Sequence, residues 1–203
     1  VVLKDCKLYY SSDLEYTVQD YELRDSIQGL SESAFGFDLS DVRSVSDQNG
    51  MLTGYIHKNI EKGDRVNTVD RVISEEHRDV KLVYVTLKVK NTSDQDVTGI
   101  KLEPQLCSMD EDYNVRERIC EKASSEGFSV YCDIPTMYQE NPDLYGSDRQ
   151  LYGQRYSMKA GEEKTVHVAY IIDADKTDHM ALFYNAYGTI DKAESGCIIK
   201  LEK

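Results

Sequence analysis

The sequence predicts a mostly β protein, a sandwich or barrel of short antiparallel strands, and three observations carry that reading. The first is the run 81–90, in which Val83, Val85, Leu87 and Val89 recur at every second position while Thr86, Lys88 and Lys90 take the other side. A period of two marks a half-buried strand. The second is a counterpart at 165–172, where Val166, Val168, Tyr170 and Ile172 share one face. The third concerns the whole chain: no long stretch keeps the 3.6-residue helical spacing, Val, Ile, Tyr and Thr are plentiful, and prolines number only 3.

The central run continues past its own strand. Residues 91–96 break the pattern with short polar side chains that bond their own backbone, and alternation resumes through Thr98, Ile100, Leu102 and Pro104 toward Leu106. The stretch 81–106 therefore reads as a β-hairpin, and the Val85 and Val168 strands as the two facing inner walls of one sandwich. Upstream, 7–10 and 16–23 are strands, the second with a bulge or a change of sheet near Asp20, because Tyr16, Val18 and Tyr21 or Leu23 compete for one buried face. Residues 24–50 lose the alternation and read as loop, with one helical turn at 39–42. Asn49-Gly50 suits a tight turn whose central residues need positive φ, leading into a strand at 51–56. A turn at 62–64 precedes a strand at 65–73, carried by Val66, Val69 and Val72. The charged run 74–79 reads as a solvated connection.

Beyond Leu106, the polar residues 107–114 open a long insertion, and 115–123 places Val115, Ile119, Cys120 and Ala123 on one face of a two-turn helix. Residues 128–134 alternate again. A glycine turn at 158–164 feeds the 165–172 strand, 173–178 is a polar loop, and strands at 180–184 and 197–201 close the chain. The 203 residues form one domain, 1–203, with elaborations at about 24–50 and 107–156.

A net charge of -13 repels phosphate backbones and anionic lipid, so neither nucleic acid nor a membrane surface is an expected partner. No apolar run approaches the roughly 18 residues of a membrane span. A chain starting at Val1 fits removal of a targeting segment, and any lipid anchor would lie upstream of it. Cys6 follows Leu3-Lys4-Asp5, not the small apolar residues expected before a bacterial lipid-attachment cysteine. The five cysteines, at 6, 107, 120, 132 and 197, allow two disulfides and a thiol or no disulfide, and without a Cys-x-x-Cys clamp no structural zinc is expected. In a secreted protein the bridge to seek lies within Cys107, Cys120 and Cys132.

Candidate chemistry is sparse. Asp110, Asp112 and Asn114 with Glu121 at the twelfth position imitate a calcium loop, but Val115 stands where the sharp turn needs glycine, and a polar hairpin tip explains the same residues. His57, His77, His167 and His179 belong to no metal motif, and His167 reads as a surface residue opposite Val166 and Val168. No nucleophile elbow or phosphate-cradling loop occurs, and carboxylates are too abundant to single out a glycosidase-like pair. No catalytic residue and no cofactor are assigned. The 15 tyrosines suit recognition, since the ring covers a sugar or peptide while the hydroxyl stays bonded. Tyr138, Tyr145, Tyr152 and Tyr156, in the insertion, are the candidate ligand-binding residues.

The blocks EYTVQDYELRDSI, VKLVYVTLKVKNTSDQDV, MDEDYN and MKAGEEKTVHVAYIID, in that order, resemble the immunoglobulin-like, telokin-like domain of unknown function found in secreted lipoproteins of Gram-positive bacteria. The resemblance implies an immunoglobulin-like antiparallel β-sandwich, extracellular and tethered to the envelope through an upstream lipidated cysteine, with no catalytic residues to transfer. The chain departs from the pattern in its segments 24–50 and 107–156 and in its five cysteines. The expectation is an exported, non-enzymatic binding or structural module that presents 107–156 to a protein or glycan at the cell surface. The opposing expectation is a secreted hydrolase built from scattered acids and His57 or His179. An intracellular scaffold is the third, if all five thiols are unbridged.

Overall fold

The computed structural model describes residues 5–8, 14–31, 35, 39–64, 66–101, 104–109, 115–118, 155–185 and 196–201. In chain order the strands are β1 (Asp5–Leu8), β2 (Leu14–Arg24), β3 (Tyr55–Glu61), β4 (Arg71–Arg78), β5 (Val80–Asn91), β6 (Val97–Lys101), β7 (Gln105–Met109), β8 (Val115–Arg118), β9 (Arg155–Met158), β10 (Glu163–Asp173), β11 (Met180–Asn185) and β12 (Gly196–Lys200). A short helix, α1 (Leu39–Ser44), precedes β3.

Alternating apolar residues can be buried only if another layer covers them, and two antiparallel sheets do this. One runs β1-β2-β5-β10, the other β12-β11-β7-β8. Val83, Val85, Leu87 and Val89 of β5 share a core with Leu14 and Tyr16 of β2 and with Val166, Val168, Tyr170 and Ile172 of β10. Leu106, Met180, Leu182 and Ile199 meet them from the second sheet. The mostly β, antiparallel sandwich expected from the sequence is the observed architecture, and the β2 bulge falls between Val18 and Asp20.

Val85 and Val168 are direct cross-strand partners, so the two alternating runs form one wall rather than two. The 81–106 hairpin is also corrected. β5 lies between β2 and β10, while β6 pairs with β9, because the chain leaves the first sheet at the 91–96 turn. Of the strand read at 65–73, residues 71–73 begin β4 while 66–70 are loop, and the connection read at 74–79 is largely β4 itself. Residues 115–118 of the expected helix are strand β8, paired with β7.

The outer face of β5 and β10 has its own cover. Leu82, Tyr84, Ala169 and Ile171 pack under Phe35, Val42, Val45 and Tyr55, so β5 is buried on both faces in its first half. The described residues of the 24–55 stretch thus fold over the first sheet. Its 47–50 turn closes with Gly50 N–H donating to the Asp47 carbonyl, and Gly50 has φ 78° whereas Asn49 does not have positive φ. Cys107, buried on β7, carries no disulfide. Cys120 and Cys132 lie outside the described residues.

Candidate functional site

β3 and β4 form a two-stranded ribbon with no further strand paired to it among the described residues. Such a ribbon is marginal in water unless something anchors it. Its anchor is Asp173 at the end of β10, only 1% exposed, which accepts a hydrogen bond from Tyr55 Oη at 2.9 Å and lies 3.3 Å from Arg78 Nη1. Tyr55 opens β3 and Arg78 closes β4, and they are register partners, so one buried carboxylate clamps both strands at the base. Gly54 completes the joint: its φ is 72°, and a Cβ there would stand 2.2 Å from the Arg78 carbonyl oxygen.

Outward from the base, burial ends. Every residue from Arg71 to His77 is exposed. The charges along the ribbon neutralise one another: Lys58 meets Glu75 at 2.9 Å, Arg71 meets Glu61 at 2.8 Å, and Lys62 lies 3.5 Å from Asp70. What remains for a partner is aliphatic. Ile56, Val72 and Ile73 are exposed along the strands, and Val66 and Val69, at 84% and 87% exposure, project from the connecting loop.

That loop is ordered by one side chain. Asp64 Oδ1 accepts the backbone N–H groups of Val66, Asn67 and Thr68 at 2.9, 2.7 and 2.8 Å, and the Thr68 hydroxyl accepts the Asp64 N–H at 2.8 Å. The N–H groups of Thr68, Val66 and Asn67 hold the Asp64 carboxyl well below the usual carboxylate range. The two valines are therefore presented on a fixed tip.

At the ribbon base lies an open depression of about 420 Å³ lined by Ser44, Gly54, Tyr55, Ile56, Lys58 and His77. Among the described residues no carboxylate lines it. His77 Nε2 is 3.0 Å from the Thr53 carbonyl oxygen, an acceptor only, so Nε2 carries a proton there.

The candidates read from the sequence fall elsewhere. Tyr138, Tyr145 and Tyr152, and the calcium-loop residues Asp110, Asp112, Asn114 and Glu121, lie outside the described residues. Tyr156 is in β9, opposite Ile100 of β6. His57 sits on β3 opposite Glu76, whereas His179 precedes β11 with φ 50°. His167 is half-buried and stacks on Tyr84 with ring centroids 5.1 Å apart, while the Arg24 guanidinium covers the Tyr84 ring at 3.9 Å. Among the described residues no three of His, Cys, Asp and Glu are grouped to hold a metal ion. The sequence reading touched this ribbon at 55–56 and 71–73 but not its pairing or its exposure, although Val66, Val69, Val72 and Ile73 set among charged residues were its signal.

Fold and site together define an antiparallel β-sandwich with a projecting, charge-neutralised ribbon. No protein-family model matches the chain, and no curated protein matches it. It is similar to the solved structure of the yjhA protein from Bacillus subtilis, at 10% identity and a TM-score of 0.40 over 99% of this chain and 98% of that one. It is also similar to a conserved hypothetical protein from Bacillus anthracis, at 12% identity and a TM-score of 0.33 over 89% and 87%.

Proposed function

We propose that the protein is an exported, non-enzymatic binding module of the cell envelope, a sandwich that holds out the β3–β4 ribbon to dock a protein partner. The observation that carries this reading is the exposure of Val66 and Val69 to solvent beside a turn held by Asp64, on a ribbon where Lys58 pairs with Glu75 and Arg71 with Glu61. Exposed aliphatic groups on an ordered support lose little conformational freedom when covered, which favours binding. Export, the immunoglobulin-like assignment and an upstream lipid anchor rest on the resemblance of the 15–27, 80–97, 109–114 and 158–173 blocks to the secreted lipoprotein domain.

The test is a photo-crosslinking residue placed at Val69 in the full protein on its own cells, against a control at Asp94. Asp94 follows the far end of β5, which spans roughly 35 Å at the usual strand rise. Adducts to a protein at position 69 and none at 94 are expected. Equal adducts at the two positions, or none at either, would overturn the reading.

A further inference from the structure

We propose that the ribbon's partner is a second copy of this chain, packed antiparallel and face to face about a twofold axis, each tip seated over the other's base depression. This deepens the reading above and rests on it.

Charge argues first. Residues 55–78 carry five acidic and five basic side chains, a net of zero, within a chain of net -13. Two copies carry a large like charge, and the ribbon is a surface at which they approach without a local like-charge penalty. The ion pairs Lys58–Glu75, Arg71–Glu61 and Lys62–Asp70 neutralise six of these charges within the ribbon itself. A surface of zero net charge that exposes aliphatic side chains can meet a copy of itself without net repulsion.

Shape argues second. A twofold contact requires that what residue i of one copy touches with residue j be touched in return by residue i of the other. The ribbon carries both halves of such a contact: a projecting tip at Val66 and Val69, and a depression at its base lined by Ser44, Gly54, Tyr55, Ile56, Lys58 and His77. They are separated by the length of β3, roughly 20 Å at the usual strand rise. Antiparallel packing brings each tip to the opposite base. Between them, Ile56, Lys58 and Ile60 of β3 share a face with Glu75 and Val72 of β4 through their register pairs, so the Ile60 and Val72 region of one copy meets that of the other.

The test is sedimentation of the purified full chain across micromolar concentrations. A concentration-dependent dimer is expected, with Val69→Asp and Ile56→Asp each weakening it by at least about tenfold. Both residues are exposed, so at concentrations low enough for every variant to be monomeric the thermal midpoint should stay unchanged, separating lost association from lost folding. Photo-crosslinking from position 69 should mark Ser44 or the 54–58 stretch of the second copy. A monomer throughout, or a dimer indifferent to both substitutions, would overturn the proposal. Adducts from position 69 to a different protein on cells would overturn self-association and leave the docking role of the ribbon standing; no adduct to any protein would remove both.

Discussion

Val85 on β5 and Val168 on β10 are directly paired across neighbouring strands, and both are fully buried in the sandwich core. An acidic group at either position would be desolvated with no partner. Val85→Asp should abolish folding. Lys88, three positions on, faces away and is paired with Glu163 at 2.7 Å, and Lys90 lies 3.2 Å from the same carboxylate. Lys88→Asp should cost about 1 kcal/mol or less, since exposed pairs contribute little and Lys90 remains. Thermal melts decide, and equal midpoints for the two variants would refute the register.

The ribbon depends on its clamp. Tyr55→Phe removes the hydroxyl that donates to buried Asp173 and leaves a carboxylate short of a donor. The expected loss is about 2 kcal/mol in urea unfolding, accompanied by faster amide exchange across β3 and β4 than across β5. Uniform acceleration over all strands would show that the clamp holds the sandwich generally.

Gly54 and Gly161 share a φ of 72° but differ in surroundings. A Cβ on Gly161 meets nothing within 4 Å, whereas one on Gly54 strikes the Arg78 carbonyl oxygen. Gly161→Ala should cost about 1 kcal/mol, the ordinary penalty of left-handed backbone for an L-residue. Gly54→Ala adds a backbone collision and should cost about 3 kcal/mol. Chemical denaturation of both variants measures the gap, and similar midpoints would contradict the joint at the ribbon base.

β5 and β10 were legible because burial on one face imposes a period of two on their side chains, and Asp20 was legible as a bulge because Tyr16 and Tyr21 cannot share a face without one. Pairing was harder to read. Whether β5 neighbours β6 or β10 depends on where the chain turns after Asn91, and alternation is the same in either case. β4 was read only at its start, as the end of a strand at 65–73, and missed over 74–78: with Arg71 to His77 all solvated, no core dictates which side chains alternate. The proposed docking surface lies in that strand and in the loop before it, where the sequence pattern carries least information.

The tip should resist acid. Asp64 has its carboxyl held below the ordinary range by the N–H groups of Thr68, Val66 and Asn67. A carboxyl lowered in the folded state contributes order that is complete above its unfolded value, about 3.9, and is lost as pH falls through the lower folded value. The amide resonances of Val66, Asn67 and Thr68 should therefore remain in place near pH 4 and move only in stronger acid. Asp64→Ala should collapse their dispersion at neutral pH. A titration midpoint at the value of a free aspartate would sink the assignment.

Asn91 ends β5 with its side chain fully buried, and each of its polar atoms is used. Its Nδ2 donates to the Gln95 carbonyl at 2.7 Å and the Lys159 carbonyl at 3.0 Å, while Oδ1 accepts the Ser93 N–H at 3.1 Å and hydroxyl at 2.8 Å. It ties the 91–96 turn to the turn before β10. Asn91→Asp puts an acceptor where two carbonyl oxygens need a donor, and should cost about 3 kcal/mol at neutral pH. Asn91→Ala leaves those carbonyls unmatched without adding a charge and should cost less. The buried carboxyl of the Asp variant would have a folded pKa above its unfolded one, so its penalty is full above the folded value and shrinks as acid protonates it and restores one O–H donor. Urea midpoints of wild type and the Asp variant should converge as pH falls toward 4, while the gap for the Ala variant stays constant; a gap for the Asp variant that ignores pH would mean that the turn opens to hydrate the charge.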